Sequence, residues 1–157
     1  MSKLKCTCGN GMSNSNDPNE YIIKVYKKSD IENAIKENYN VRLIDFDTLD
    51  WDYEYWYCPK CDRIHKVENI PCGKVVKRFA KSSGSILTKE CSSLLTAYYI
   101  FTDIEIYNAE EANMSLADFI NELGNSHLYM ISKDSEKIFK MNTIGEYQLF
   151  YQVEKTR

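Results

Sequence analysis

Apolar and polar residues alternate along short stretches of this chain, and turn-forming residues separate most of these stretches. A period of two is typical of strands that bury one face. The pattern predicts strands at residues 21–26, 41–46, 51–57, 63–67, 74–79, 94–101, 128–131, 138–141 and 147–153. The last three have the spacing of an antiparallel meander, so we expect a mostly antiparallel sheet.

Two serines mark the starts of two predicted helices. Ser29 is followed by Glu32, and Ser115 by Asp118, which is the three-residue spacing of a capping box. Gly124 stands where the second helix should end. The helices are therefore predicted to be short, and both begin at a side-chain cap.

Two further segments carry a weaker pattern. Residues 9–20 are turn formers throughout, which predicts a loop. Residues 102–108 either continue the preceding strand or turn away from it. The order of all elements predicts an α+β fold, mostly antiparallel sheet with two short helices.

The length of 157 residues fits a single domain, residues 1–157, with its own core. Ser-Ser-Gly-Ser at 82–85 is a candidate hinge between lobes 1–81 and 86–157. No apolar run approaches the roughly 20 residues of a membrane span, and the first residues lack the apolar region of a signal peptide. We therefore expect a cytoplasmic chain, where cysteines are typically thiols or metal ligands.

Two close cysteine pairs carry the strongest chemical signal. Cys6 and Cys8 form one pair, and Cys58 and Cys61 form the other. Two pairs of thiolates are what a tetrahedral metal site needs, and zinc suits four soft sulfur ligands. Four protein ligands close the coordination sphere, so we predict a structural, zinc-ribbon-like Zn²⁺ site in the first lobe rather than a catalytic one.

Three other residues are open candidates for the same site. Cys72 lies in a Pro-Cys-Gly turn, Cys91 reads as a small buried residue, and His65 follows Cys61 by four positions. Thiol catalysis by Cys72 or Cys91 with His127 also stays open, although no pattern selects it. The chain has only two histidines and lacks a GxSxG motif and a glycine-rich phosphate loop. We therefore predict no enzyme activity.

Charge is segregated along the chain despite a net charge of only −3. No Lys or Arg occurs between residues 90 and 132, and a second acidic run at 45–54 is interleaved with aromatic residues. Such a surface suits a cationic protein partner. The predicted partner-binding residues are Asp45, Asp47, Asp50, Asp52, Glu54, Asp103, Glu105, Glu110 and Glu111.

Two alternatives to that interpretation stay open. The basic segment 60–81 suits a zinc-ribbon protein that binds the backbone of a nucleic acid. The basic residues of that segment are Lys60, Arg63, Lys66, Lys74, Lys77, Arg78 and Lys81. The charged residues can also be an ordinary solvated surface over an aromatic core, which the alternation at 51–55 favours.

Several features are shared with a known group of bacterial proteins. They are Cys6-Thr-Cys8-Gly9-Asn10, Trp56-Tyr57-Cys58-Pro59-x-Cys61, Phe101-Thr-Asp103-Ile-Glu105 and a tyrosine-rich last strand. In these the chain resembles small zinc-ribbon proteins that serve as immunity proteins of polymorphic-toxin and contact-dependent growth-inhibition systems. The resemblance implies a non-enzymatic protein that binds and neutralises one toxin domain, often a basic nuclease. It assigns no binding residue, so the acidic residues above rest on charge alone.

Overall fold

The computed structural model describes residues 3–13, 15, 18–46, 53–68, 75–82, 95–134, 136–141 and 145–154. The strands are β1 (Lys3–Lys5), β2 (Gly11–Ser13), β3 (Ile22–Lys27), β4 (Tyr53–Tyr57), β5 (Ile64–Glu68), β6 (Val75–Lys81), β7 (Leu95–Thr102), β8 (Leu128–Ser132), β9 (Lys137–Met141) and β10 (Tyr147–Val153). The helices are α1 (Lys28–Glu37), α2 (Leu43–Phe46), α3 (Asp103–Glu111) and α4 (Leu116–Leu123), and a 3-10 helix, Gly124–His127, follows α4.

Eight strands close into an antiparallel barrel in the order β10-β6-β5-β4-β3-β7-β8-β9. The predicted α+β class and antiparallel sheet are confirmed, and the closure into a barrel is a feature that the pattern did not reveal. The pair β3–β7 joins Val25 to Ile100, so strands from both sides of segment 82–85 share one sheet. Residues 83–85 of the predicted hinge lie outside the described residues, and the division into lobes stays a prediction.

Alternation along the strands separates two apolar clusters. Ile23, Ile64 and Ile138 belong to a cluster inside the barrel. On β7, Tyr99 and Phe101 point to the other face and pack under the helices. A strand that is covered on both faces reads as a nearly continuous apolar run, as 94–101 does.

The helices cover one side of the barrel. Ile31 of α1, Leu43 of α2 and Phe119 of α4 are each 1% exposed and share a cluster with Tyr26 and Phe101. The Phe101 and Phe119 rings lie 4.6 Å apart between centroids. Within the described residues, no helix is long and apolar enough to cross a membrane.

The predicted strand at 41–46 is wrong, because α2 occupies Leu43–Phe46. The N–H of Leu43 donates to the carbonyl of Met114 at 3.1 Å, and that of Leu116 donates to the carbonyl of Val41 at 2.8 Å. A helical turn puts Leu43 and Phe46 on one side, whereas a strand would separate them. Phe46 then packs on Tyr26, with ring centroids 5.4 Å apart.

The two predicted caps have different outcomes. The Ser115 side chain accepts a hydrogen bond from the N–H of Asp118, so that cap is confirmed. The Ser29 cap is wrong, because α1 begins at Lys28 directly after β3 and its N-cap, Lys27, makes no side-chain bond. Gly124 is the C-cap of α4, but its backbone is right-handed helical and leads into the 3-10 helix rather than ending the helical segment.

Four elements were not predicted: strands β1 and β2, helix α3 and the 3-10 helix. Strand β2 lies inside the segment 9–20 that was predicted to be a loop, and it pairs with β1. Helix α3 begins at a capping box in which Thr102 and Glu105 bond each other's backbone. The Thr-x-x-Glu spacing of this box is visible in the sequence. The apolar run that precedes it favoured a continued strand, so the helix was not predicted.

Candidate functional site

The first cysteine pair lies in the turn of hairpin β1–β2. The N–H of Cys6 donates to the carbonyl of Asn10 at 2.9 Å, and the N–H of Gly9 donates to the carbonyl of Cys6 at 2.9 Å. Gly9 has a φ of 97°, a left-handed conformation that favours glycine. A Cβ at this position would have no atom within 4 Å, so backbone conformation rather than space requires the glycine.

The second pair lies in the turn between β4 and β5, which is built in the same way. The N–H of Cys58 donates to the carbonyl of Arg63 at 2.9 Å, and that of Asp62 donates to the carbonyl of Cys58 at 2.8 Å. Asp62 has a φ of 62° and directly follows Cys61, as Gly9 follows Cys8. The Tyr57 hydroxyl donates to the Asp62 carboxylate.

The four sulfur atoms lie within 4.8 Å of one another. Cys6 Sγ is 3.4 Å from Cys61 Sγ, and Cys8 Sγ is 3.7 Å from Cys58 Sγ. A disulfide would need about 2.05 Å, whereas the sulfurs around a tetrahedral zinc with Zn–S bonds of about 2.3 Å are about 3.8 Å apart. All four predicted ligands are therefore together, and their donor set fits one metal ion.

Burial is the largest influence on each thiol whose pKa is shifted, but the outcome differs between the hairpin tips. It raises the pKa of Cys6 to about 12. At Cys58, hydrogen bonds from the backbone of Cys61 and from the Asn10 amide outweigh burial, and the pKa falls to about 6. Hydrogen bonds from Arg63 likewise lower the pKa of Cys61 against the effect of burial. The second tip thus favours thiolates, the form that binds metal.

Arg63 balances the charge of the cluster. Its Nε donates to Glu154 Oε1 at 2.5 Å, and its guanidinium also bonds Cys61. Glu154, followed by Cys61, raises the pKa of the guanidinium. Four thiolates around a divalent ion carry a net negative charge, so a cation held in this position supports the site.

The cluster joins the N-terminal hairpin to the barrel wall. Trp56 of β4 is 1% exposed and Met12 of β2 is 2% exposed, and both share an apolar cluster with Cys6 and Cys58. Hairpin β1–β2 has only three residues in each strand. A two-stranded sheet of this size is marginal in water by itself.

The open candidates for the metal site are resolved only in part. His65 is fully buried, and within the described residues neither ring nitrogen has a hydrogen-bond partner. It is not part of the four-cysteine cluster. Burial, and next the charge of Arg78, lower the pKa of His65 and favour its neutral form. Cys72 and Cys91 lie outside the described residues.

The predicted acidic surface is only partly assembled. Asp47, Asp50 and Asp52 lie outside the described residues. Glu54 accepts a hydrogen bond from Trp56 Nε1 at 3.1 Å. Asp45 pairs with Arg42 at 3.1 Å, and both side chains are 55% exposed.

The acids of α3 point to different surroundings. Asp103 accepts the N–H of Asn19 at 2.8 Å. Glu105 bonds the Thr102 backbone at 2.9 Å and His127 Nε2 at 2.7 Å. Glu110 is half-buried, and Glu111 is the one exposed acid among these four.

One face of α3 combines the exposed acid Glu111 with apolar residues. Ile104 is 41% exposed and Tyr107 is 36% exposed. Residues 104, 107 and 111 are spaced to lie on the same face of a helix. We call Ile104, Tyr107 and Glu111 the α3 face.

The described basic residues of segment 60–81 have varied partners. Lys77 Nζ donates to the carbonyl of Asp134 at 3.0 Å. Lys81 Nζ lies 3.8 Å from Asp62 Oδ2. Burial, and next Lys77, lower the pKa of Lys66. Lys74 lies outside the described residues, and nucleic-acid binding by this segment stays a prediction.

Asn19 is a structural residue that the sequence analysis missed. It is 2% exposed. Its Nδ2 donates to the carbonyl of Ser13 at 2.7 Å, and its Oδ1 accepts the N–H groups of Tyr21 and Ile22 at 2.9 and 3.2 Å. With the bond to Asp103, it ties the cysteine-bearing hairpin β1–β2 to β3 and α3. An Asn before a strand predicts only a turn, so this role could not be predicted from the sequence.

Ser126, His127 and Glu105 superficially resemble a catalytic triad. Ser126 Oγ lies 2.9 Å from His127 Nδ1, and Glu105 Oε2 lies 2.7 Å from Nε2. However, Nδ1 also lies 2.8 Å from the Leu123 carbonyl, which can only accept, and Ser126 Oγ donates to that same carbonyl at 3.1 Å. The Ser126 hydroxyl thus directs its hydrogen to the Leu123 carbonyl rather than to Nδ1, which is not the arrangement of an activated nucleophile.

Comparison with known proteins gives one result. The family model described as "Domain of unknown function (DUF8617)" matches residues 2–111, which include all four clustered cysteines. No curated protein and no solved structure matches the chain. Because the match covers more than half of the sequence, the chain belongs to the DUF8617 family.

Proposed function

We propose that the protein is a non-enzymatic binding protein, held together by one structural Zn²⁺ and directed at a cationic protein partner. In its specific form, it neutralises a bacterial toxin domain as an immunity protein. The observation that carries the proposal is the α3 face, where two exposed apolar side chains lie beside an exposed acid. The toxin assignment rests additionally on the resemblance described above.

The zinc site supports a structural rather than a catalytic role. Four thiolates would fill the tetrahedral coordination of a zinc ion and leave no position for a substrate. Cys6 and Cys58 are 3% and 0% exposed, whereas Cys8 and Cys61 are partly exposed, so the cluster is covered on one side. The metal would hold hairpin β1–β2 on the barrel.

The surroundings of the α3 face support a cationic partner. From Asp103 to Leu123 the chain carries Asp103, Glu105, Glu110, Glu111, Asp118 and Glu122 and no Lys or Arg. This excess of negative charge would speed association with a basic protein. Tyr107 and Ile104 would supply the apolar contact that slows dissociation.

The test uses the toxin domain of any large secreted protein encoded beside this gene. Co-expression should protect cells from that domain, and association should slow as salt increases. Glu111→Lys should slow association several-fold at low salt and little at high salt. Tyr107→Ala should weaken binding roughly tenfold, mainly through faster dissociation.

Met141→Ala is the matched control, because Met141 is a 52% exposed apolar residue on β9, away from α3 in sequence. It should leave binding unchanged. All three variants should keep the stability of the parent to within about 0.5 kcal/mol. The proposal would be contradicted if neither α3 substitution changed binding, or if co-expression failed to protect the cells.

A further inference from the structure

The barrel interior contains a cavity that the proposed function does not use. Its volume is about 230 Å³, and seven of the eight barrel strands contribute to its lining. An engineered apolar cavity of about 150 Å³ in another protein is large enough to bind benzene. The barrel cavity therefore has room for a molecule of one or two rings.

The wall of the cavity is mainly apolar. Aliphatic surface comes from Ile23, Ile64, Ile100 and Ile138. Aromatic surface comes from Tyr57, Tyr129 and Phe150 among others. The Tyr129 and Phe150 rings meet nearly edge to face, with centroids 6.3 Å apart. Such a wall favours a flat apolar body.

The charged groups in the lining are already paired. Glu105 accepts bonds from Thr102 and from His127 Nε2, and His127 Nδ1 bonds the Leu123 carbonyl. The side chains of His127 and Glu105 are 21% and 29% exposed, which puts this pair at the rim. A charged ligand would find no free counter-charge and would pay the cost of desolvation.

The tyrosine hydroxyls of the cavity lining differ in their hydrogen bonding, and this difference determines which ligand the cavity favours. Tyr57 donates to Asp62, and Tyr129 Oη accepts from Lys140 Nζ at 3.5 Å. Tyr151 is only 7% exposed and lines the cavity, and within the described residues its hydroxyl has no hydrogen-bond partner. Burial, followed by the nearby Tyr57 and Asp62, raises the pKa of Tyr151, so its hydroxyl remains a donor at neutral pH.

We propose that this cavity binds a neutral molecule of one or two rings whose carbonyl or hydroxyl oxygen accepts a hydrogen bond from Tyr151. Because the Tyr151 hydroxyl has no protein partner among the described residues and Tyr151 lines the cavity, an acceptor on the ligand could take its hydrogen bond. The apolar walls would hold the ring body. The site is separate from both the cysteine cluster and the α3 face.

The test uses two probes of the same shape, acetophenone and ethylbenzene, titrated into the full-length, metal-loaded chain. Isoleucine methyl signals in NMR spectra report occupancy, with Ile23, Ile100 and Ile138 expected to shift. Both probes should bind. Tyr151→Phe should weaken acetophenone binding roughly five-fold, the effect of one hydrogen bond, and leave ethylbenzene binding unchanged.

Ile100→Trp fills the cavity and should abolish binding of both probes. Ile44→Trp is the matched control, because Ile44 is 43% exposed on α2, and it should leave binding unchanged. If Ile100→Trp fails to fold, as judged by NMR dispersion and metal content, Ile138→Phe replaces it as a smaller filling substitution.

Three results would overturn the proposal. The wild-type chain binds neither probe up to its solubility limit. A folded filled variant still binds them, which places binding outside the cavity. Tyr151→Phe weakens the binding of both probes equally, or of neither, which shows that the hydroxyl does not select an acceptor.

Discussion

The two hairpin tips and helix α3 gather charged or chargeable side chains in opposite ways. At the tips, Cys6 and Cys61 come from positions 55 residues apart, yet their sulfurs lie 3.4 Å from each other. Along α3, Asp103, Glu105 and Glu111 are close in sequence but diverge. Asp103 bonds Asn19, Glu105 bonds Thr102 and His127, and Glu111 faces solvent.

The difference shows what makes a set of residues a site. A metal needs ligands that converge, and two turns closed by corresponding backbone hydrogen bonds provide that convergence. A helix turns its side chains by about 100° per residue, so a run of acids is distributed around it. Some of these acids then stabilise the fold and only the remainder can bind a partner.

Metal removal should have the largest effect, because a metal bound to the four sulfurs would hold the two hairpin tips together. In a Trp51→Phe background, Trp56 is the sole tryptophan, and it is 1% exposed. Chelation should shift its fluorescence to longer wavelength and lower the free energy of unfolding by several kcal/mol, on the order of structural zinc sites. Added Zn²⁺ should reverse both changes. Trp56 emission that does not change on chelation would contradict the claim that the four cysteines converge on one metal.

Asn19→Ala should have the next largest effect. It removes three side-chain hydrogen bonds at a residue that is 2% exposed and leaves the N–H groups of Tyr21 and Ile22 without this acceptor. We expect a loss of about 2–3 kcal/mol in urea unfolding. The exposed Asn121→Ala serves as the control and should change stability by less than about 0.5 kcal/mol. Equal effects would show that Asn19 does not link the two regions.

High pH should weaken the barrel beside the second hairpin tip. Burial and the bond to Asp62 raise the pKa of Tyr57 to about 12, and burial also raises the pKa of Tyr99 and Tyr151. A raised folded-state pKa favours the neutral phenol. This contribution is therefore fully present below pH 10 and is lost as pH rises towards 12. Urea unfolding at pH 8, 10 and 11 should show the decline, which Tyr57→Phe should reduce. A flat profile would count against it.

The caps of the helices should have the smallest effects. Thr102→Ala and Ser115→Ala each remove a hydrogen bond to an N–H of the first turn and should cost about 1 kcal/mol. Ser29→Ala is the matched control, because Lys27 rather than Ser29 precedes α1. It should be nearly neutral in thermal unfolding, and a cost equal to that of Ser115→Ala would mean that Ser29 caps after all.

The sequence predicted much of the fold because its signals are local. Alternation located most of the strands, and the Ser115 spacing located α4. The signals failed where distant contacts decide, as at residues 41–46, where a helical turn lets both Leu43 and Phe46 pack into the cluster under the helices. Barrel closure depends on the pairing of β9 with β10 and of β10 with β6, for which no single segment carries a sign.

The candidate sites follow the same rule. Metal chemistry limits spacing so strongly that two cysteine pairs predicted four ligands. Charge segregation has no comparable constraint, since Asp103 and Glu105 carry the same charge whether they bond the fold or a partner. The cavity could not be predicted from the sequence, because its walls come from seven strands. Tyr151 has the same sequence pattern as any other core tyrosine.

The most direct test of the account is the metal content of the purified chain and of its Cys58→Ser variant, together with thiol titration. We predict one zinc per chain in the parent, and its loss in the variant together with release of the N-terminal hairpin. Cys72→Ser should retain the metal. A parent without metal, or a Cys58→Ser variant that keeps a full equivalent, would contradict the claim that these four cysteines form one metal centre.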